Sequence, residues 1–293
     1  MNSISRGPTA GLIFFAIVVL VGALWLRSPG LDIRDGHNDR GGNGIVLGPS
    51  WTGGDATQSA LVVGEIARSI REHHLAELYL QLPPPNSNGA LTGIDSARIE
   101  ALLYECYDAR GWAQVNVAGH PFDDPRWRRF FIVDLRRLLD RVPRLRGVQL
   151  DFSGIDDVSP ALLMLLDELR PALAADARLL SIAVAAWKEP YFREVARRAD
   201  QLVAPLDVHA SGFAKFSVAR NVTFISNALA WSEAKPVLFR IPPAKQLPRA
   251  LRVVHLGLSR QPPPDHYRGI ILDSGTAPDA GAWMELRGHF LRP

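Results

Sequence analysis

Short apolar runs alternate with amphipathic stretches from Gly44 to the C-terminus, and this alternation limits the fold more than any other feature. The runs are Gly44–Gly48, Leu75–Leu82, Ala113–Ala118, Gly147–Phe152, Leu179–Ala185, Gln201–Leu206, Pro236–Ile241 and Gly269–Leu272. Most begin roughly 32 to 37 residues after the previous one, the length of a strand–helix–strand unit. They read as continuous apolar stretches, as expected of parallel strands covered by helices. Helix signals fill the gaps. Asp124-Pro125 and Ser159-Pro160 each place a capping side chain before a proline at the first helical position. Gly111 reads as the C-terminal cap of a helix from Asp95 to Arg110. Further helices are expected over about 55–73, 161–173, 191–198, 222–230, 247–256 and 280–291. Eight such units in roughly 250 residues predict an α/β chain with a single (β/α)8 TIM barrel over residues 44–293. A doubly wound open sheet is the alternative. No Gly-x-Gly-x-x-Gly turn or phosphate loop follows any strand, which counts against its nucleotide-binding versions.

Residues 11–26 carry no charge and are flanked by Arg6 and Arg27. With Pro8 to Ala10 added, the stretch approaches spanning length. Ala23 is followed by Leu24 and Trp25, so no small-residue cleavage site is evident, and no cysteine follows that could carry a lipid. The expected arrangement is an uncleaved signal anchor, a transmembrane helix over residues 1–27 with Trp25 at the far interface. A cleaved signal peptide is the alternative. Either way the domain after Arg27 is expected outside the cytoplasm. Residues 28–43, rich in Gly, Asp, Asn and Arg, read as a flexible linker.

The net charge is only +3, and arginine is spread over most helices. No basic stripe with interleaved aromatics is present, so nucleic acid is not an expected partner. Cys106 is the single cysteine, which excludes an intramolecular disulfide and a cysteine-based zinc site. It falls on the apolar face Ile99-Leu102-Leu103-Cys106 and reads as a packed, inert thiol. No cofactor is expected. Asp207-Val208-His209 with His120 lacks a specific metal-ligand spacing, and Ser153 and Ser211 lack a nucleophile-elbow context.

In a barrel of this kind a site forms at the C-terminal ends of the strands. Those tips carry Trp51, Gln81, Asn116, His120, Asp151, Trp187, Asp207, His209, Arg240 and Asp273. The three carboxylates Asp151, Asp207 and Asp273 are the candidate catalytic groups, because carboxylates around one mouth repel unless paired with cations, protons or metal. Glycoside hydrolysis needs two of them within about 5 to 10 Å across an open cleft. Trp51, Gln81, Asn116, His120, Trp187, His209 and Arg240 are the candidate substrate-binding groups, with the tryptophans suited to the apolar face of a sugar. Each has a plainer reading. Trp187 can cap the core, Gln81 and Asn116 can bond loop backbone, and Arg240 can neutralise Asp207 or Asp273 as a structural ion pair.

Gly147-Val148-Gln149-Leu150-Asp151-Phe152-Ser153 resembles the fourth-strand motif of glycoside hydrolase family 18, the chitinase-like barrels, which runs Asp-Gly-x-Asp-x-Asp-x-Glu. Gly147 falls on its glycine and Asp151 on its last aspartate. Arg146 and Gln149 replace the first two aspartates, and Ser153 stands where the proton-donating glutamate belongs. A serine cannot protonate a leaving group at neutral pH, so that family's mechanism does not carry over. Leu150-Asp151-Phe152, the helix with Asp167-Glu168-Leu169-Arg170, and Leu180-Ser181-Ile182-Ala183 ending at Trp187 are similar to a bacterial group of anchored barrels, domain-of-unknown-function family 3142. That resemblance covers chiefly residues 145–190 and implies a barrel related to polysaccharide-processing enzymes. The implied setting is a bacterial inner membrane crossed once, with the barrel in the periplasm. The expected partners are a carbohydrate and the membrane, and the expected function is action on, or binding of, a cell-envelope polysaccharide. The alternative is a non-catalytic glycan-binding or scaffold barrel in an envelope complex.

Overall fold

A computed structural model of the chain describes residues 7–27, 36, 38–53, 60–155, 159–186, 188–206, 214–241, 247–260, 265–275 and 278–291. Eight parallel strands close into a barrel in chain order: β1 (Gly44–Leu47), β2 (Glu77–Gln81), β3 (Arg110–Asn116), β4 (Leu145–Asp151), β5 (Leu179–Ala183), β6 (Gln201–Pro205), β7 (Val237–Ile241) and β8 (Tyr267–Gly275). β8 pairs back onto β1, so no edge is left open. Helix α1 (Gly7–Arg27) precedes the barrel. The strands alternate with α2 (Ala60–Glu72), α3 (Ser96–Glu105), α4 (Pro125–Arg141), α5 (Pro160–Ala174), α6 (Glu189–Arg198), α7 (Ala214–Trp231), α8 (Leu247–Arg260) and α9 (Ala280–Phe290).

Strand side chains divide by period two. Outward residues such as Leu78, Leu80, Val148, Leu150 and Ile182 pack under the helices in one large core. Inward residues Val46, Tyr79, Trp112, Ala183, Val203, Leu238 and Ile271 form a second cluster inside the barrel. Both faces of each strand are therefore covered, which is why the runs are continuously apolar. The proline-initiated helices start where their caps sit: Asp124 Oδ1 accepts from Arg126 N at 2.8 Å, and Ser159 Oγ accepts from Leu162 N at 3.2 Å.

Three elements differ from expectation. Helix α3 ends at Glu105, and Gly111 lies inside β3 rather than capping a helix. Strand β3 begins at Arg110 because it pairs with β2 from Glu77 onward. Helix α7 begins at Ala214 rather than near Val222, its first turns being too mixed in polarity to show a helical period. Part of the expected linker belongs to the barrel. Asn38 is fully buried, and Asn43 donates to Phe290 O at 3.1 Å and accepts from Ile270 N at 3.0 Å, which ties the entering chain to β8 and α9.

The transmembrane helix expected over residues 1–27 is a helix from Gly7 to Arg27. Among the described residues, however, no helix is long and apolar enough to cross a membrane, and the side chains described on α1 run only from Ile13 to Leu24. Cys106 is buried, and burial pushes its thiol up to about 12.

Gly147 marks a close approach in the β4–β5 pairing, since a Cβ there would stand 2.0 Å from Leu179 O. Gly147→Ala is expected to destabilise the barrel by about 1–3 kcal/mol in urea denaturation. Gly154→Ala, whose Cβ would meet only Ala118 Cβ at 3.5 Å, should stay within about 0.5 kcal/mol of the parent.

Candidate functional site

Strand β4 delivers Asp151 to the C-terminal mouth, β7 delivers Arg240 and β8 delivers Asp273. The alternation that turns these three inward also turns Gln149 inward one layer deeper on β4, and Gln114 comes level with it on the paired strand β3. Arg240 and Asp151 meet across the interior, with side chains only 10% and 9% exposed. Arg240 Nη1 donates to Asp151 Oδ2 at 2.5 Å, and Gln114 Nε2 donates to the same oxygen at 3.3 Å. Asp151 Oδ1 accepts from the Ser153 backbone N at 3.0 Å and from Ser153 Oγ at 2.6 Å. Arg240 Nη2 closes the ring by donating to Ser153 Oγ at 3.0 Å. Asp273 stands at the edge, its Oδ2 lying 3.7 Å from Arg240 Nε and its side chain 31% exposed.

These contacts separate the two carboxyls electrostatically. Burial acts to raise the Asp151 pKa, but the charge and hydrogen bond of Arg240, with the two Ser153 bonds, outweigh it and hold the carboxyl below its ordinary value. For Asp273, burial raises the pKa, Arg240 offsets part of that, and the neighbouring Asp151 charge adds to the rise, so this carboxyl sits above its ordinary value. Asp151 is therefore an ionised acceptor with two hydrogen bonds on each oxygen, unfit to deliver a proton. Asp273 is the described carboxyl at the mouth that retains acid character.

The remaining candidates are placed as follows. Trp51 is in a short 3-10 turn, Pro49–Trp51, and is 2% exposed, so neither face of its ring is open. Asn116 is exposed and its Oδ1 accepts from Ala118 N at 3.0 Å, a bond to loop backbone. Gln81 is half-buried, and its backbone carbonyl accepts from Thr52 Oγ1 at 2.7 Å. His120 is half-buried and stacks on Trp127 with centroids 5.4 Å apart, and burial lowers its pKa. Trp187, Asp207 and His209 lie outside the described residues. Among the described residues no group of three His, Cys, Asp or Glu side chains is disposed to hold a metal.

The structure thus brings together Asp151, Arg240 and Asp273 with Ser153 and adds Gln114, which sequence reasoning passed over, while Gln149, named there only as a motif replacement, lies one layer deeper. The signal for both was their period-two relation to Asn116 and Asp151 on strands already recognised. Gln149 is fully buried, and neither its Oε1 nor its Nε2 has a hydrogen-bond partner among the described residues.

No family profile matches this chain, and no curated protein does either. Solved structures do. The spore cortex-lytic enzyme SleL of Bacillus megaterium aligns with a TM-score of 0.62 at 10% identity, covering 86% of this chain and 75% of that one. A class V chitinase from Pseudomonas fluorescens aligns at 0.58 and 13%, covering 85% and 99%. A glycoside hydrolase of family GH5_18 from Bifidobacterium longum aligns at 0.59 and 12%, covering 80% and 69%. The likeness is one of fold. It supports the closed eight-stranded α/β barrel as the architecture of this chain.

Removing Arg240 leaves a buried, unpaired carboxylate. Arg240→Met is expected to cost about 3–5 kcal/mol at neutral pH, and adding Asp151→Asn should recover part of that loss. Asp151, whose folded pKa lies below its unfolded value, contributes stability that is present at neutral pH and lost as pH falls through the folded pKa. In Arg240→Met the dependence should invert, with stability falling as pH rises above about 4. Urea denaturation of both proteins between acid and neutral pH checks the inversion.

Proposed function

We propose that the chain is a membrane-anchored, extracytoplasmic barrel of glycoside hydrolase type that binds a cell-envelope polysaccharide at its C-terminal mouth and does not hydrolyse it through Asp151. The observation that carries this reading is the closed Asp151–Arg240–Ser153 ring. The carboxylate that falls on a chitinase-like strand motif is bonded on both oxygens, and the neighbouring position that would need an acid holds a hydroxyl already donating to it. A mouth with its charges paired and its amides and hydroxyls oriented suits neutral sugar hydroxyls. The fold likeness to a spore cortex-lytic enzyme and a chitinase favours an envelope polysaccharide of that kind as the ligand. The uncharged run of residues 11–26 within α1 supports the anchor, as does the resemblance to the anchored barrels of domain-of-unknown-function family 3142.

A second reading, hydrolysis with Asp273 as the acid, is favoured by one observation, the raised pKa of that partly exposed carboxyl. Its partner would have to come from elsewhere on the rim, since Asp151 is occupied.

The full chain in detergent, mixed with insoluble chitin and peptidoglycan, separates the two. Retention on one of them without release of new reducing ends is expected. Retention on neither overturns the binding reading. Release of reducing ends that disappears in Asp273→Asn, and declines as pH rises through the Asp273 pKa, replaces it with the second. For the anchor, deletion of residues 1–27 should move the protein from the membrane fraction to the soluble fraction of expressing cells.

A further inference from the structure

At the end of the barrel opposite Asp151 the strands begin, and their first residues converge on a cavity of about 330 Å³. Its lining contains four arginines, Arg40, Arg110, Arg146 and Arg268, and one carboxylate, Glu77. Glu77 is 3% exposed and already committed: one oxygen pairs with Arg110, and the other accepts from Trp112 Nε1 at 2.6 Å. Arg40, Arg146 and Arg268 are exposed at the cavity and make no ion pair or hydrogen bond among the described residues, and of the three Arg146 lies near enough to Glu77 for its charge to act on that carboxyl. The nearest further carboxylate in sequence, Asp39, accepts from Gly41 N at 2.8 Å and from Asn43 at 3.2 Å.

The wall that carries Arg40 is built, not incidental. Asn43 fixes the entering segment to the backbone of β8 and to Phe290. Gly41 takes a left-handed φ of +68°, and Gly42 lies so close to β8 that a Cβ there would stand 2.3 Å from Arg268 O. This approach lays Arg40 over the strand ends beside Arg268. Conservation of the N-terminal face of such barrels usually serves stability. Three unpaired guanidiniums around one concavity do the reverse, because like charges repel. Their planar forks match phosphate oxygens in a bidentate manner, and their summed charge exceeds what one carboxylate neutralises.

We infer that this cavity is an anion site for a phosphate-bearing ligand, either a free phosphate compound or the headgroup of an anionic phospholipid. The lipid source, though not the site, rests on the proposed anchor: eight residues separate Arg27 from Gly36, a reach of at most about 30 Å.

The test uses the full chain in uncharged detergent, titrated calorimetrically with inorganic phosphate and pyrophosphate at low salt. A second arm measures hydrogen exchange of residues 38–42 in nanodiscs of neutral lipid with and without phosphatidylglycerol. The variant Arg40→Gln/Arg146→Gln/Arg268→Gln removes the unpaired charges and leaves the Glu77–Arg110 pair in place. Saturable pyrophosphate or phosphate binding that weakens about tenfold or more in the variant supports the site with a free ligand. Protection that appears only with the anionic lipid and is lost in the variant supports it with a headgroup. Because the arginines do not stabilise the fold on this account, the variant should melt at or above the parent temperature. Absence of both responses, or responses that the variant leaves unchanged, overturns the inference. So does a variant that melts well below the parent, which would make these arginines structural. The detergent arm is independent of the anchor, so failure of the lipid arm alone bears on the membrane reading and not on the cavity.

Discussion

A guanidinium buried inside a barrel must meet an anion, and that requirement organises the mouth of this molecule. Arg240 and Asp151 come from strands on different sides of the interior, 89 residues apart in sequence. Taking either charge out of water alone would cost several kcal/mol, so the pair exists only because the barrel closes and brings β4 and β7 face to face. Once formed, it dictates its surroundings. Ser153 folds back to serve both partners, Gln114 turns an amide toward the shared carboxylate oxygen, and Asp273 is left at the rim with the weaker contact. The carboxyl that resembles a catalytic aspartate is thereby converted into a structural acceptor. The neighbouring carboxyl keeps acid character because burial, with the Asp151 charge beside it, raises its pKa by more than Arg240 lowers it.

The two ends of the barrel use the same side chain to opposite effect. At the mouth one arginine is enclosed by acceptors and its charge is cancelled. At the base Arg110 pairs with Glu77, and Arg40, Arg146 and Arg268 face a concavity with no ion pair among the described residues. Net charge does not reveal this, since +3 over the whole chain is nearly neutral. Only the convergence of strand beginnings gathers Arg40, Arg146 and Arg268, which lie far apart in sequence, around one space.

Much of the fold was legible because its signals are local. Asp124-Pro125 and Ser159-Pro160 define helix starts through one hydrogen bond and one fixed dihedral, and both helices begin there. Continuous apolar runs identify strands covered on both sides. Gly111 misled for an equally local reason: glycine serves helix ends and strand interiors alike, and the pairing of β3 with Glu77 on β2 decided between them. The candidate site was legible in part. Asp151, Arg240 and Asp273 could be placed at strand tips by counting, but counting could not say that Arg240 takes Asp151 as its principal partner. It also overestimated Trp51, whose ring the core absorbs.

By itself the sequence determined the order of strands and helices, the eightfold count and the end of the barrel at which Asp151, Arg240 and Asp273 stand. Those depend on periodicity and on caps, which act over a few residues. The tertiary structure alone decided which charges neutralise each other, which tryptophan is hidden, and where arginines accumulate unpaired. Those depend on distances across the barrel, which closure sets between residues that no local pattern relates.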